Sequence, residues 1–348
     1  MLTKKQISEI SGHLNMAQNP LFFFDNDQDG LCSFLLLQRF IQRGKGVAIK
    51  ISPEMTVNYF RKVKELNPDY IFILDQPEVS KKFFKEVEQI NLPVVWIDHH
   101  KIDKNKIPKF VNYYNPLLNQ AKTNEPVTAL CYQITNKKQD LWIGVAGCIS
   151  DKFTPEFYSD FKKQYPDLGI DSKDAFEIFY YSQIGKISRI FGSGLKDRIT
   201  NVVKMLNYLT KVKTPYEVLE ENEKNYFMHK RFKEINEKYK KFLEKAKLKI
   251  NDSDMLFFEY AGDTSMSSDL ANGLKFLFPK KNIVVAYVKE AKINISARGE
   301  NIREIVLKAI ENLEGATGGG HENAVGAQIK IKDLEKFREK LEKLINKK

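Results

Sequence analysis

Cysteine is scarce in this chain. Cys32, Cys131 and Cys148 are odd in number and show no zinc-type pair spacing, which excludes a disulfide framework and argues against structural zinc. Long apolar runs are also missing: the richest stretch, around Phe34 to Leu37, is far shorter than a bilayer span. The first residues, Met1-Leu2-Thr3-Lys4-Lys5-Gln6, lack the apolar core of a signal peptide, so the expected address is cytoplasmic, with no membrane partner. There is no internal repeat and no low-complexity tail. What remains is the composition of a globular protein, 42% hydrophobic and 29% charged, and 348 residues suffice for two domains. A formal net charge of +11 points to a polyanionic partner, nucleic acid above all; the plainer reading is a lysine-rich, solubilising surface.

The apolar pattern predicts an α/β fold. A short amphipathic helix over 4–18 leads into the β-type run Leu21-Phe22-Phe23-Phe24, and 31–42 resumes as an apolar helix. Strands over 47–52, 70–74 and 94–97 alternate with helices over 57–66 and 81–89, the spacing of a parallel, doubly wound sheet. Further on, 130–135 reads as helical, 142–149 as a small-residue apolar segment, and 155–212 as mostly helical and rich in Phe and Tyr, broken at Gly192 and Gly194. No proline or glycine falls between Pro215 and Lys247, which predicts one long, charged connecting helix whose lysines read as a solvated face, with a nucleic-acid groove as the alternative. A second α/β unit follows. It has strands over 255–260 and 283–288, an alternating strand over 293–298, helices over 268–278 and 302–313, a glycine run at 318–320 whose plain reading is a flexible turn, a strand over 328–331 and a last helix. The expected division is therefore 1–212, a connector over 213–248, and 249–348.

Polar residues that follow apolar segments carry the chemistry. Val94-Val95-Trp96-Ile97 is a buried strand that ends in Asp98-His99-His100, and open parallel sheets place their ligands at the carboxyl ends of strands. Asp25, Asp27 and Asp29 follow the first strand, Asp75 another, and Asp151 the small-residue segment. Gly30 lets the backbone turn tightly after the last aspartate of the cluster. Each piece alone has a structural reading. Asp-x-Asp-x-Asp occurs in calcium loops, though the closing glutamate is missing here; Asp75 and Asp151 suit helix caps; two histidines can simply end a strand. Jointly they form a carboxylate and imidazole set suited to octahedral Mn²⁺ or Mg²⁺, and an acidic pocket in a basic chain suits divalent ions facing a phosphate. A metal pair in such a site activates water and polarises a phosphoryl oxygen, with Asp75 the natural shared carboxylate.

These motifs resemble those of the DHH phosphoesterase superfamily, in particular its RecJ-like exonuclease and oligonucleotide phosphodiesterase branch in a minimal, archaeal-type two-domain form. Asp25-Asn26-Asp27-Gln28-Asp29-Gly30 is similar to the RecJ first motif, Asp98-His99-His100 to the naming motif, and Gly144 to Asp151 to the fourth motif. Ser296-x-Arg298 with Gly318-Gly319-Gly320-His321 is similar to the substrate-binding, DHH-associated domain. The resemblance implies one ion on Asp25 or Asp27 with Asp75, and another on Asp29, Asp75, His99 and Asp151. Asp98 would orient His99, and His100 would face the scissile phosphate. Ser296, Arg298, the glycine run and His321 would bind substrate. It implies two Mn²⁺ ions, with Mg²⁺ as the alternative, and an exonuclease that converts single-stranded DNA or RNA to mononucleotides. The alternatives within the resemblance are a nanoRNase-type or cyclic-dinucleotide phosphodiesterase, and a catalytically weak scaffold among replication or repair proteins. One departure stands out: Phe23 occupies the position where many relatives carry a histidine.

Overall fold

The computed structural model describes residues 1–50 and 54–346; the predicted strand end at Ile51 and Ser52 lies outside them, as do the last two residues of the 249–348 segment. The chain divides into two compact units, Met1–Phe232 and Lys233–Lys348. The first is built on a five-stranded sheet of β1 (Pro20–Asp25), β2 (Lys45–Ile49), β4 (Tyr70–Leu74), β6 (Val94–Ile97) and β7 (Val111–Tyr114), in the order β2-β1-β4-β6-β7. Every pair in it is parallel. A two-residue parallel pair, β3 (Glu54–Met55) and β5 (Glu78–Val79), lies outside this sheet.

Parallel strands are covered on both faces, which is why their sequences run nearly continuously apolar. Alternation along β1 sends Phe22 and Phe24 to one face, against α2 (Gln28–Ile41), α5 (Val127–Thr135) and α6 (Leu141–Ser150). It sends Leu21 and Phe23 to the other, against α3 (Phe60–Leu66) and α4 (Lys81–Gln89). The N-terminal helix α1 (Lys4–Met16) adds Ile10 and Leu14 to the first of these cores. With all strands parallel, Asp25, Asp75 and Asp98 emerge at one edge of the sheet.

The helical region that follows comprises α7 (Tyr158–Gln164), α8 (Ala175–Tyr181), α9 (Gln183–Leu195), α10 (Ile199–Leu209) and α11 (Pro215–Leu219). Two expectations fail here for physical reasons. Gly192 and Gly194 do not break a helix: α9 runs through both, because a Cβ on Gly192 would strike the Gln28 side chain and one on Gly194 the Met205 sulfur. They are close-packing positions. The long helix does not begin at Pro215 either. Asn225 accepts the Asn222 N–H and donates to the carbonyls of Glu217 and Glu220, ending α11, and α12 (Tyr226–Lys247) starts after this turn.

The second unit carries a five-stranded sheet of β8 (Met255–Ala261), β9 (Asn282–Lys289), β10 (Lys292–Arg298), β11 (Thr317–His321) and β12 (Ala324–Lys330), in the order β11-β12-β10-β9-β8. Only the β8–β9 pair is parallel. One face packs on α14 (Ile302–Ile310) and α15 (Leu334–Ile345), and the other on α13 (Ser267–Leu277) and the end of α12. The glycine run is thus an edge strand and not a turn. A Cβ at Gly318 would lie 2.8 Å from Ile310, and Gly320 has φ +138°, which β-carbon-bearing residues rarely adopt.

Candidate metal centre

The C-terminal ends of β1, β4 and β6 deliver the acidic residues to one place. Asp25 closes β1, and Asp27 caps α2 by accepting the Gly30 N–H at 2.9 Å. Gly30 is required because a Cβ there would collide with the Asp25 backbone. Asp75 leaves β4 with φ +57°, an unfavourable conformation for a residue other than glycine, and its N–H is tied to the Ile97 carbonyl at 3.0 Å. Asp151 follows the last turn of α6.

In the first unit, three sets of ligand atoms each lie within 4.8 Å of one another: Asp25, Asp27 and Asp75; Asp29, Asp75 and His99; and Asp75, Asp98 and His100. Asp75 belongs to all three, the position of a shared carboxylate. His99 Nε2 stands 3.4 Å from Asp75 and 3.7 Å from Asp151. Among the described residues no hydrogen bond reaches the buried Asp75 Oδ1. Buried carboxylates without such bonds are costly unless a cation accompanies them. Oxygen donors with an imidazole fit Mn²⁺ or Mg²⁺.

The electrostatics agree. Burial and the neighbouring Asp27 push Asp25 up to about 8. Burial together with Asp29, Asp27, Asp25 and Asp151 holds Asp75 well above the usual carboxylate range, and Asp27 and Asp29 are raised for the same reasons. Burial lowers His99 and favours the neutral imidazole that a metal requires. Burial alone would lower His100 too, but Asp98 overrides it and the ring is pushed up to about 9.

Asp98 orients His100, where the resemblance places it behind His99. Its carboxylate accepts the His100 ring Nδ1–H at 2.8 Å, the His100 backbone N–H at 3.1 Å and the Tyr113 hydroxyl at 3.0 Å. Asn115 donates to the Tyr113 oxygen at 2.8 Å and to the His100 carbonyl at 2.9 Å. Tyr113 and Asn115 are functional candidates that the motifs do not flag, although both sit at the end of the strand beside β6. Asp29 has a second task as well: its two oxygens accept the N–H groups of Val127 and Thr128, capping α5 from 98 residues away. Phe23 supplies no ligand. It is fully buried, edge-on to Tyr59 and Phe83.

In the second unit, β10 places Ser296 and Arg298 at the start of α13. The Ser296 hydroxyl lies 3.0 Å from that of Ser267, and Arg298 donates to Asn272, Ser268 and the Ala297 carbonyl. Arg298 therefore ties helix to sheet as well as standing at a candidate phosphate position. Cross-strand register aligns Ser296 with Gly326 and Gly319, and Arg298 with Ala324 and His321, so these side chains share one face. On that face Gly319 is open; a Cβ there would meet nothing within 4 Å.

Comparison with known proteins fits this geometry. Residues 21–149 match the DHH family, N-terminal domain, and residues 254–347 match the DHHA1 domain. A DHH-family domain followed by a DHHA1 domain places the chain in the DHH superfamily. RecJ from Thermus thermophilus, solved in complex with Mn²⁺, is similar at 13% identity with a TM-score of 0.72; the match covers 99% of this chain and 54% of that one. An exonuclease RecJ bound to manganese matches over 99% of this chain and 94% of its own, with 13% identity and a TM-score of 0.63. CDC45 from Entamoeba histolytica matches over 98% of this chain and 98% of its own, with 10% identity and a TM-score of 0.55. At these identities the likeness is one of fold, and the chain spans about half the length of the Thermus protein. No curated protein sequence matches the chain. Among the described residues no helix is long and apolar enough to cross a membrane.

Proposed function

We propose that the chain is a Mn²⁺- or Mg²⁺-dependent phosphodiesterase that hydrolyses single-stranded nucleic acid from an end and releases mononucleotides. The observation that carries this reading is the convergence of three ligand sets on Asp75. Asp25, Asp27 and Asp75 would hold one ion, and Asp29, Asp75, His99 and Asp151 the other. Two such ions, when bound, supply an activated water and neutralise charge on the phosphoryl oxygens. His100, cationic and held by Asp98, would bind the scissile phosphate or donate a proton to the leaving oxygen. Arg298 and Ser296 at the start of α13, with the open backbone at Gly319 and His321 in the next row, would take up a phosphate or terminal nucleotide of the substrate. The net charge of +11 favours a polymeric anion over a dinucleotide.

A time course with Mn²⁺ on 5′-labelled and 3′-labelled single strands, as DNA and as RNA, tests this beside a labelled dinucleotide. Mononucleotide release from one end supports the proposal and gives the direction. Cleavage of the dinucleotide alone moves the chain to the short-oligonucleotide branch. Failure to cleave any substrate with either metal refutes hydrolysis and leaves the scaffold alternative.

A further inference from the structure

Helix α8 lies outside every motif of the DHH resemblance, yet it carries an unusual density of rings. Ala175 and Ile178 are buried and Phe179 packs against the core. Phe176 and Tyr180, one turn apart on a different side of α8, are only partly buried. Their rings lie 6.5 Å apart and within 8° of parallel, while Tyr181 is 66% exposed. The helix is held firmly. Asp174 caps its start, and Arg189 donates to the Phe179 and Tyr180 carbonyls at its end while lying over the Phe179 ring.

Lys152 connects this surface to the metal centre. It directly follows Asp151, and its ammonium stands 5.6 Å from the centre of the Phe176 ring. Its φ of +60° is left-handed, a position after a helix end that glycine fills without strain. Single-strand sites combine a cation for the phosphate with a ring for the base, and here the cation directly follows a proposed metal ligand and stands over the ring.

We propose that Phe176, Tyr180 and Lys152 form a stacking subsite for a nucleobase of a single strand whose scissile phosphate lies at the metal centre. This rests on the hydrolase reading above and narrows its substrate to strands that bear bases beyond the reacting nucleotide. Stacking is blind to base identity, so the subsite would accept any sequence.

The test measures binding of fluorescein-labelled (dT)₁₂, and of an abasic strand of equal length and charge, in EDTA, beside hydrolysis of bis(p-nitrophenyl) phosphate with Mn²⁺. Wild type is expected to prefer the base-bearing strand. The Phe176→Ala/Tyr180→Ala variant should lose about tenfold of that affinity and none for the abasic strand, given typical ring–base stacking. Its hydrolysis of the small ester should be unchanged, and Tyr180→Phe should keep the preference. An equal loss on both strands, or a retained preference in the double variant, would overturn the subsite while leaving the hydrolase reading intact. Absence of ester hydrolysis in the wild type would instead remove the hydrolase reading.

Discussion

Replacing Asp25 by asparagine should make the metal-free protein more stable, although it removes a proposed ligand. Asp25 sits among Asp27, Asp29 and Asp75, and its pKa rises from 3.8 to about 8. A folded-state value above the unfolded one means that the native protein holds the proton more tightly. Stability from this group is complete below about pH 4 and is lost as the pH climbs toward 8. At pH 7 the penalty has an upper bound of about 4 kcal/mol, from about three pKa units at 1.36 kcal/mol each. Proton sharing among the clustered aspartates brings the expected gain to about 2 kcal/mol, or roughly 5 °C in the melting of a unit of this size. The amide side chain is isosteric, and its oxygen can still accept the Asn26 N–H, now at 2.8 Å. Thermal melts in EDTA and in excess Mn²⁺ read both halves of the prediction. In EDTA the variant melts above the wild type; in Mn²⁺ the wild type gains more, and the gap closes or reverses. A variant that melts below the wild type in EDTA would show that hydrogen bonds satisfy the carboxylate, and the case for a metal centre would lose its main physical support.

Asp29→Asn should do the opposite. Both carboxylate oxygens accept backbone N–H groups of α5, so an amide sets a donor against a donor and lowers stability by about 1–3 kcal/mol, visible as a lower melting temperature in EDTA. Tyr113→Phe removes one donor from the Asp98 carboxylate that orients His100. If His100 protonates the leaving oxygen, turnover of a dinucleotide should fall about tenfold more than that of a p-nitrophenyl ester, whose leaving group needs no proton; equal falls would count against that role. Binding of Mn²⁺ should release protons near neutral pH, because Asp25, pushed up to about 8, holds its proton until a cation displaces it; calorimetry in two buffers of different ionisation enthalpy measures this.

Strands β1, β4 and β6 and the acidic motifs are legible because these strands leave continuous apolar runs, each stopping at an aspartate; β7, interrupted by Asn112 and followed by Asn115, leaves no such run and is not foreseen. Asp98-His99-His100 is found this way, as are Asp25 and Asp75. Partners set by tertiary packing leave no such trace. Nothing near Asp29 reveals that it caps a helix beginning at Val127, and nothing in the Asp-His-His triplet says which histidine Asp98 turns toward. That choice is fixed by Tyr113 and Asn115 on the neighbouring strand. Glycine is ambiguous for a related reason. Gly192 and Gly194 suggest a break, yet they sit inside a helix because Gln28 and Met205 fill the space that side chains would need. The run at 318–320 suggests a turn, yet it pairs as a strand.

Hydrolysis of bis(p-nitrophenyl) phosphate by the wild type and by Asp75→Ala, each with Mn²⁺ and with EDTA, tests the central claim most directly. The shared position of Asp75 predicts turnover by the wild type in Mn²⁺, none in EDTA, and a fall of about a thousandfold or more in the variant. Undiminished turnover in Asp75→Ala, or turnover that survives EDTA, would contradict it.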